Sequence, residues 1–220
     1  MSLAVAPDAI ILDLDGTLVD TVPARIDAWA AAFDEAGVPS TRSQLAPMIG
    51  MDGRRLAREV VTAAGRTLTD AEAESIDLRA GELFDERNRA PRPLSGAREL
   101  LRGLDERGMT WAIATSSRRE QIAASIRALA LPSEPRIVDG SHVEHAKPAP
   151  DLLLYAAREL DVDPAESWYV GDSTWDMRAA VAAGMAAIGV LAGAAVGEAE
   201  LAAAGAELIV PALADLHVPA

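Results

Sequence analysis

The chain has 220 residues, of which 50% are hydrophobic and 25% are charged, so it is long enough for one sizeable core and a smaller second lobe. Its formal net charge of −14 argues against nucleic acid as a partner, because phosphate backbones are bound by clusters of basic residues. No apolar run approaches the roughly 18 residues of a membrane-spanning helix, which argues against a membrane partner.

The start of the chain and its cysteine content bear on location. The first seven residues lack the basic start and the long apolar stretch of a signal peptide. The chain contains no cysteine, which excludes disulfide bonds and thiolate metal sites. Together these observations predict a cytoplasmic protein.

The first predicted element is a short buried strand over residues 9–12. Its run of apolar residues suits a sheet that is covered on both faces. Two carboxylates, Asp13 and Asp15, follow where this strand should end, and Gly16 permits a sharp turn after them. Because burying an unpaired carboxylate costs several kcal/mol, we expect the pair to face water, a cation or a reacting group.

A helical pattern then extends over residues 22–88, and no strand is needed within it. Thr69 and Glu72 form a capping-box pattern that begins one of its helices, with Phe84 on the inner face. Residues 89–94 contain two prolines and predict an extended connector. Residues 22–88 are therefore predicted to form an insertion that covers the carboxyl edge of a sheet.

From about residue 95, predicted helices and strands alternate. The strands are 110–115, 136–138, 168–171, 187–190 and 207–210, and the helices are 97–107, 117–130, 151–160, 175–183 and 198–204. We expect Ser117 and Glu120 to form the capping box of the second helix. The alternation predicts an α/β fold with a doubly wound, Rossmann-like parallel sheet and an inserted all-α cap. The predicted domains are a core of 1–16 and 93–220 and a cap of 17–92.

Polar side chains follow several of the predicted strands. Thr115 and Ser116 follow one strand, Asp172 and Asp176 follow another, and Lys147, the sole lysine among 20 basic residues, lies in a loop. Each group alone is also typical of turns and helix caps. The carboxyl ends of a doubly wound sheet converge on one crevice, however, so we expect these groups to meet Asp13 and Asp15 there.

The converged set has a definite chemical character. Several carboxylates around one point repel each other unless a hard cation is present, and an all-oxygen site suits Mg²⁺. Mg²⁺, a lysine and hydroxyl donors together can surround a phosphoryl group with positive charge. The sequence thus indicates phosphoryl chemistry at the edge of the sheet.

Four segments resemble the motifs of a known family. They are 13–21 (DLDGTLVDT), 113–117 (IATSS), 147–151 (KPAPD) and 170–176 (VGDSTWD). In this order they resemble the motifs of haloacid-dehalogenase-superfamily phosphatases with an inserted helical cap, in the branch of phosphoglycolate phosphatase and β-phosphoglucomutase. The resemblance spans essentially the whole chain.

The resemblance implies a role for each acid. Asp13 would be the nucleophile and form an aspartyl-phosphate, and Asp15 would serve as acid and then as base. Mg²⁺ would be held by the Asp13 carboxylate, the main-chain oxygen of Asp15 and Asp172, with Asp176 behind them. Accordingly we expect metal-bound Asp13 to stay ionised and the pKa of Asp15 to be raised.

The same resemblance implies how the substrate is held. Thr115, with Ser116 beside it, and Lys147 would bind the phosphoryl group. Apart from the resemblance, the cap offers Arg25, Arg54 and Arg55. We expect at least one of them, with Arg25 and Arg54 as the candidates, to contact an anionic or hydroxylated leaving group. We expect Arg118 only to decorate the first turn of a helix.

These features predict a Mg²⁺-dependent phosphatase that acts on a small phosphorylated metabolite of the phosphoglycolate or sugar phosphate type, as a monomer or a homodimer. A β-phosphoglucomutase-like mutase is the alternative, although Arg25 stands where those mutases carry a histidine. Another alternative is a phosphoacceptor signalling domain, which also uses an aspartate, a lysine, a hydroxyl and Mg²⁺. Asp15 and the long cap argue against it. We expect the segments 17–21 and 89–94 to act as hinges for the cap.

Overall fold

A computed structural model describes residues 6–219. Residues 1–5 and 220 of the predicted core lie outside the described residues, and so does most of the segment that was compared with a signal peptide. The strands are β1 (Ala9–Leu12), β2 (Val19–Asp20), β3 (Arg92–Pro93), β4 (Thr110–Ala114), β5 (Ile137–Val138), β6 (Ser167–Gly171), β7 (Ala186–Val190) and β8 (Leu208–Val210).

The α-helices in the same part of the chain are α1 (Val22–Glu35), α2 (Arg42–Leu45), α3 (Gly53–Ala63), α4 (Asp70–Arg87), α5 (Ala97–Glu106), α6 (Arg119–Leu129), α7 (Asp151–Leu160), α8 (Thr174–Ala183) and α9 (Glu198–Ala203). Among residues 6–219, no helix combines the length and the apolar character that crossing a membrane requires.

Six strands form one parallel sheet in the order β5-β4-β1-β6-β7-β8. All of β1 is buried, because successive side chains of a strand point to opposite faces and helices cover both. Ile10 packs in the hydrophobic cluster of one face and Ile11 in that of the other. The predicted α/β fold with a doubly wound sheet is confirmed. The strand order reverses at β1, and such a reversal opens a crevice at the carboxyl ends of the strands.

Helices α1 to α4, named here the helical insertion, share a hydrophobic cluster of their own. Trp29 and Phe33 stack within it, with ring centroids 5.6 Å apart. The capping box at the start of α4 is confirmed, because Thr69 and Glu72 each bond the other's backbone N–H.

The helical insertion is joined to the sheet through β2 and β3, which pair in an antiparallel ribbon. The two connecting segments therefore run side by side. The domain limits of 17–92 and the hinge motion remain predictions.

Helix α8 contacts both parts of the molecule. Trp175 is buried in the cluster of the helical insertion, and its Nε1 donates to the carbonyl of Pro47 at 3.0 Å. The next residue, Asp176, is buried among polar groups after β6. One turn of helix thus fixes the helical insertion over the carboxyl ends of the strands.

Candidate active site

A cavity of about 330 Å³ lies between the carboxyl ends of the strands and the helical insertion. The structure brings together around it every residue that the sequence suggested for the site. They are Asp13, Asp15, Arg25, Arg54, Thr115, Ser116, Lys147, Asp172 and Asp176. The roles of these residues remain predictions.

Three buried carboxylates form a compact acid cluster. Asp13, Asp172 and Asp176 each offer an oxygen, and these oxygens lie within 4.8 Å of one another. Gly16 allows this approach, because its φ is +83° and a Cβ there would lie 2.3 Å from Asp172 Oδ2. Thr17 donates to Asp172 Oδ1 at 2.9 Å. The turn after β1 thereby holds the end of β6 against it.

Lys147 lies inside the acid cluster. Its Nζ donates to Asp13 Oδ1 at 2.8 Å, to Asp176 Oδ1 at 2.6 Å and to Tyr169 Oη at 2.9 Å. Burial would lower the pKa of Lys147, but Asp13 and Asp176 raise it well above its usual value. The lysine is therefore a permanent cation in this site.

One ammonium does not balance three buried carboxylates. Burial raises the pKa of Asp13 to about 7, with Lys147 opposing and Asp176 adding to the rise. Burial, followed by Asp176 and Asp13, also raises the pKa of Asp172 well above its usual value. The cluster has more negative charge than its surroundings offset, and a divalent cation would correct this.

Asp15 lies outside the acid cluster and has its own partners. Its Oδ1 accepts from Thr21 Oγ1 at 2.7 Å, and its Oδ2 accepts from Arg25 Nη2 at 2.9 Å and from Ser117 Oγ. Burial would raise the pKa of Asp15, but Arg25 and the two hydroxyls hold it below its usual value. The raised pKa expected for Asp15 is therefore wrong, because a guanidinium from the helical insertion reaches it.

Arg25 and Ser117 are held together beside Asp15. The guanidinium carbon of Arg25 lies 3.6 Å from the centroid of the Phe84 ring, and its Nη2 donates to Ser117 Oγ at 2.7 Å. The capping role expected for Ser117 is wrong, because α6 begins after Arg118. A carboxylate is a stronger acceptor than a neutral group, which explains why the Ser117 hydroxyl turns to Asp15.

Two hydroxyls after β4 are free to donate into the cavity. Thr115 Oγ1 accepts from the Ser117 N–H at 3.1 Å, which leaves its own proton for another acceptor. Ser116 Oγ is buried and has no hydrogen-bond partner among residues 6–219. An unpaired buried hydroxyl is costly, so a ligand acceptor would stabilise this site.

The arginines of the cavity wall are already engaged. Arg54 is half exposed, and its guanidinium lies 3.7 Å from Glu74 and 3.8 Å from Asp52. Arg118 was expected only to decorate a helix, but its side chain reaches α4 and bonds Glu74 and Asp77. Sequence reasoning missed this contact because it joins residues about 40 positions apart.

Other contributors were also missed from the sequence. Tyr169 Oη accepts from Lys147 and lies 3.2 Å from Asp176 Oδ1. The only signal for it is a phenol within an otherwise apolar strand. Thr17 and Thr21 lie inside the motif 13–21, so their nearness to the acids could have marked them.

Comparisons with known proteins identify the relatives of this chain. The pattern of the family described as haloacid dehalogenase-like hydrolase matches residues 10–190. A phosphoglycolate phosphatase of Xanthomonas campestris pv. campestris (strain 8004) is 29% identical, over 97% of this chain and 96% of that protein. Hexitol phosphatase A of Escherichia coli (strain K12) is 32% identical, over 84% of this chain and 83% of that protein.

A solved structure extends the similarity to the whole fold. The crystal structure of a hydrolase from Pseudomonas syringae superposes with a TM-score of 0.89, at 32% identity over 94% of both chains. The family pattern includes all the residues of the acid cluster. The chain belongs to the haloacid dehalogenase-like hydrolase family, and it is a phosphatase of that family.

Proposed function

We propose that this protein is a Mg²⁺-dependent phosphatase that hydrolyses a small phosphomonoester, of the phosphoglycolate or sugar phosphate type, through a phosphorylated Asp13. The observation that carries the proposal is the separation of two acids. Asp13 is bonded to Lys147 inside the acid cluster, whereas Asp15 faces the cavity outside it. This separation supports a scheme in which Asp13 attacks phosphorus and Asp15 moves a proton.

The acid cluster fits a hard divalent cation. Its donors are all oxygens, it is buried, and its carboxylates are short of positive charge. We assign Asp13, Asp172 and the main-chain oxygen of Asp15 as the ligands of Mg²⁺. Both carboxylate oxygens of Asp176 accept hydrogen bonds, one from Lys147 and the other from Ser173. Asp176 would therefore orient the other groups of the cluster without binding the ion directly. When bound, the ion would offset charge on the phosphoryl oxygens.

The phosphoryl group would lie among fixed donors. Lys147, Thr115 and Ser116 all line the cavity beside Asp13. The two hydroxyls have protons to donate, and the ammonium carries a full charge. Such groups are already oriented before reaction, so they stabilise the charge of the transition state at little reorganisation cost.

The reaction takes place in two displacements. In the first, an Asp13 oxygen bonds to phosphorus while the bond to the ester oxygen breaks, and Asp15 gives its proton to that oxygen. In the second, Asp15 takes a proton from water, the water oxygen bonds to phosphorus, and the bond to Asp13 breaks. The products are an alcohol and inorganic phosphate, and both acids return to their starting forms.

Arg25 governs the state of Asp15 in this scheme. While paired with Arg25, Asp15 is held ionised, which is the form needed for the second displacement. The first displacement needs a proton on Asp15, so Arg25 must loosen its contact when the leaving group enters. We assign Arg25 and Arg54 to contacts with that leaving group.

The test compares Asp13→Asn with Asp8→Asn, using p-nitrophenyl phosphate and Mg²⁺. Asp8 is exposed and precedes the same strand, so its variant controls for a general loss of charge. We expect Asp13→Asn to lower kcat/KM by at least about a thousandfold, because the nucleophile is lost. Asp8→Asn should behave as the unaltered enzyme. Turnover retained by Asp13→Asn would refute the proposal.

A further inference from the structure

Charged side chains also line the cavity beyond the acid cluster and the Asp15–Arg25 pair. Five of them form a connected set, named here the charged wall, which consists of Asp52, Arg54, Glu74, Asp77 and Arg118. Glu144 also lines the cavity, is exposed, and adds a further negative charge. The charged wall has three acids and two arginines, so its formal charge is −1 before Glu144 is counted.

Both arginines of the charged wall are already paired with its acids. Arg118 Nη2 lies 2.9 Å from Asp77 Oδ2 and 3.1 Å from Glu74 Oε1. Arg54 Nε lies 3.7 Å from Glu74 Oε2. Glu74 and Asp77 are one turn apart on α4, so both reach the same guanidinium. No cation of the charged wall is left without an acid.

The local chain is shaped to keep the Asp77 carboxylate in place. A Cβ on Gly53, at the start of α3, would lie 1.9 Å from Asp77 Oδ1, so a larger residue there would displace the Asp77 carboxylate. Gly53 therefore leaves space for the Asp77 carboxylate in the charged wall.

We infer that the charged wall selects a neutral, polyhydroxylated leaving group and rejects a leaving group that carries a carboxylate. This inference rests on the proposed phosphatase function. The two relatives described above differ on this point, because one is named for phosphoglycolate, which carries a carboxylate, and the other for hexitols, which do not. The charge of the wall decides between them for this chain.

The selection follows from charge pairing. A carboxylate would face a wall of net negative charge, whose two guanidiniums are already partly neutralised by Asp52, Glu74 and Asp77. Hydroxyl groups are uncharged and are not repelled by the wall. They can donate to the carboxylates of Glu74 and Asp77 and accept from the two guanidiniums. Arg25, the other arginine of the cavity, forms an ion pair with Asp15, and this pair adds no net charge to the cavity. A sugar or sugar alcohol therefore matches the wall without removing any existing ion pair.

The experiment uses pairs of phosphate esters that differ only at the end remote from phosphorus. Sorbitol 6-phosphate and 6-phosphogluconate form one pair, and glycerol 3-phosphate and 3-phosphoglycerate form the other. In each pair a hydroxymethyl group is replaced by a carboxylate. We expect kcat/KM for the alcohol member to exceed that for the acid member by about tenfold or more. Equal values, or a preference for the acids, would overturn the inference.

A variant links the preference to the charged wall. Glu74→Gln removes one negative charge and frees part of Arg118, so we expect the ratio between pair members to fall by at least about threefold. Glu82→Gln is the matched control, because Glu82 lies on the same helix, is exposed and bonds Arg79. A ratio that Glu74→Gln leaves unchanged would show that the charged wall is not the cause.

Activity towards p-nitrophenyl phosphate separates this inference from the proposed function. Suppose that the unaltered enzyme hydrolyses p-nitrophenyl phosphate and the Asp13→Asn variant does not. A preference for the carboxylate esters would then refute the role of the charged wall and leave the proposed phosphatase function standing. If neither member of a pair is turned over, their inhibition constants against p-nitrophenyl phosphate replace kcat/KM. The alcohol member must then bind more tightly, and the reverse order refutes the inference.

Discussion

Asp13 and Asp15 are two residues apart in the chain, yet they have opposite electrostatic surroundings. Burial, with Asp176 adding to it, raises the pKa of Asp13 to about 7, although Lys147 opposes the rise. Asp15 is also removed from solvent, but Arg25 and two hydroxyls hold its pKa down. Two carboxylates in such different surroundings are suited to two different tasks.

Ser117 provides a test of the task assigned to Asp15. Its hydroxyl bonds Asp15 and accepts from Arg25, so Ser117→Ala should leave Asp15 less well positioned. We expect kcat for an alkyl phosphate such as glycerol 3-phosphate to fall about tenfold. The fall for p-nitrophenyl phosphate should be smaller, because nitrophenolate leaves without needing a proton. Steady-state kinetics with both esters measures the difference.

Ser75→Ala is the control for this comparison, because Ser75 is exposed on α4. It should change neither rate. If Ser117→Ala lowered both rates equally, or lowered neither, positioning of Asp15 by Ser117 would be contradicted.

The ease of prediction differed among these residues for a physical reason. The groups that follow strand ends, such as Asp13 and Asp172, could be assembled from the sequence because the topology brings strand ends together. Ser117 could not, since its bond to Asp15 spans 102 positions and its local pattern favours a helix cap. The capping pattern gave the wrong prediction because the Asp15 carboxylate, a charged acceptor, binds the Ser117 hydroxyl that would have capped the helix.

At the scale of elements, the chain uses the ends of strands and helices to hold polar groups. The start of α8 is one example, because Asp176 accepts from both the N–H and the hydroxyl of Ser173 while its other oxygen meets Lys147. The six strands of the parallel sheet were predicted to within about one residue, since they are short apolar runs bounded by turns, whereas β2 and β3 were not predicted. The start of α6 was misplaced by two residues because Ser117 serves the site instead.

The end of β5 offers a test based on pH. Asp139 follows this strand, and its Oδ1 accepts from the N–H of Ser141 at 3.0 Å and from its hydroxyl at 2.5 Å. Burial would raise the pKa of Asp139, but these bonds, with His142 and Arg119, hold it below its usual value. A carboxylate with a lowered folded pKa stabilises the fold above its unfolded pKa, near 3.9, and this stability is lost as pH falls through the folded value.

We therefore expect Asp139→Asn to lower the free energy of unfolding by about 1 kcal/mol at pH 7. The difference from the unaltered protein should shrink as the pH is lowered past about 4. Urea unfolding at pH 7 and at pH 3.5 measures it, with Asp8→Asn as the exposed control. A difference that stays constant across this range would contradict the assignment.

At the scale of the whole molecule, the sheet and the helical insertion both contribute side chains to one cavity. The sheet supplies the acid cluster, Lys147 and the hydroxyls, while the helical insertion supplies Arg25 and most of the charged wall. Contacts that join the two parts surround the cavity: Arg25 with Asp15, Arg118 with α4, and Trp175 with Pro47. Chemistry and leaving-group selection are thus assigned to different parts of the fold.

The general arrangement of these parts followed from the sequence, but their contacts did not. Alternating helices and strands after residue 95 predicted the parallel sheet, and the helical pattern of residues 22–88, which needs no strand, predicted the insertion. How the two surfaces meet depends on side chains such as Arg118 and Asp77, which are 41 positions apart. No local pattern encodes such a pair.

The central claim is that the phosphoryl group is transferred first to Asp13 and only then to water. The most direct test is the stereochemistry at phosphorus, measured with a phosphorothioate ester made chiral with ¹⁶O and ¹⁸O and hydrolysed in water labelled with ¹⁷O. Each in-line displacement inverts the configuration, so two displacements through Asp13 predict net retention. Net inversion would mean that water attacks the ester directly, and it would contradict the account.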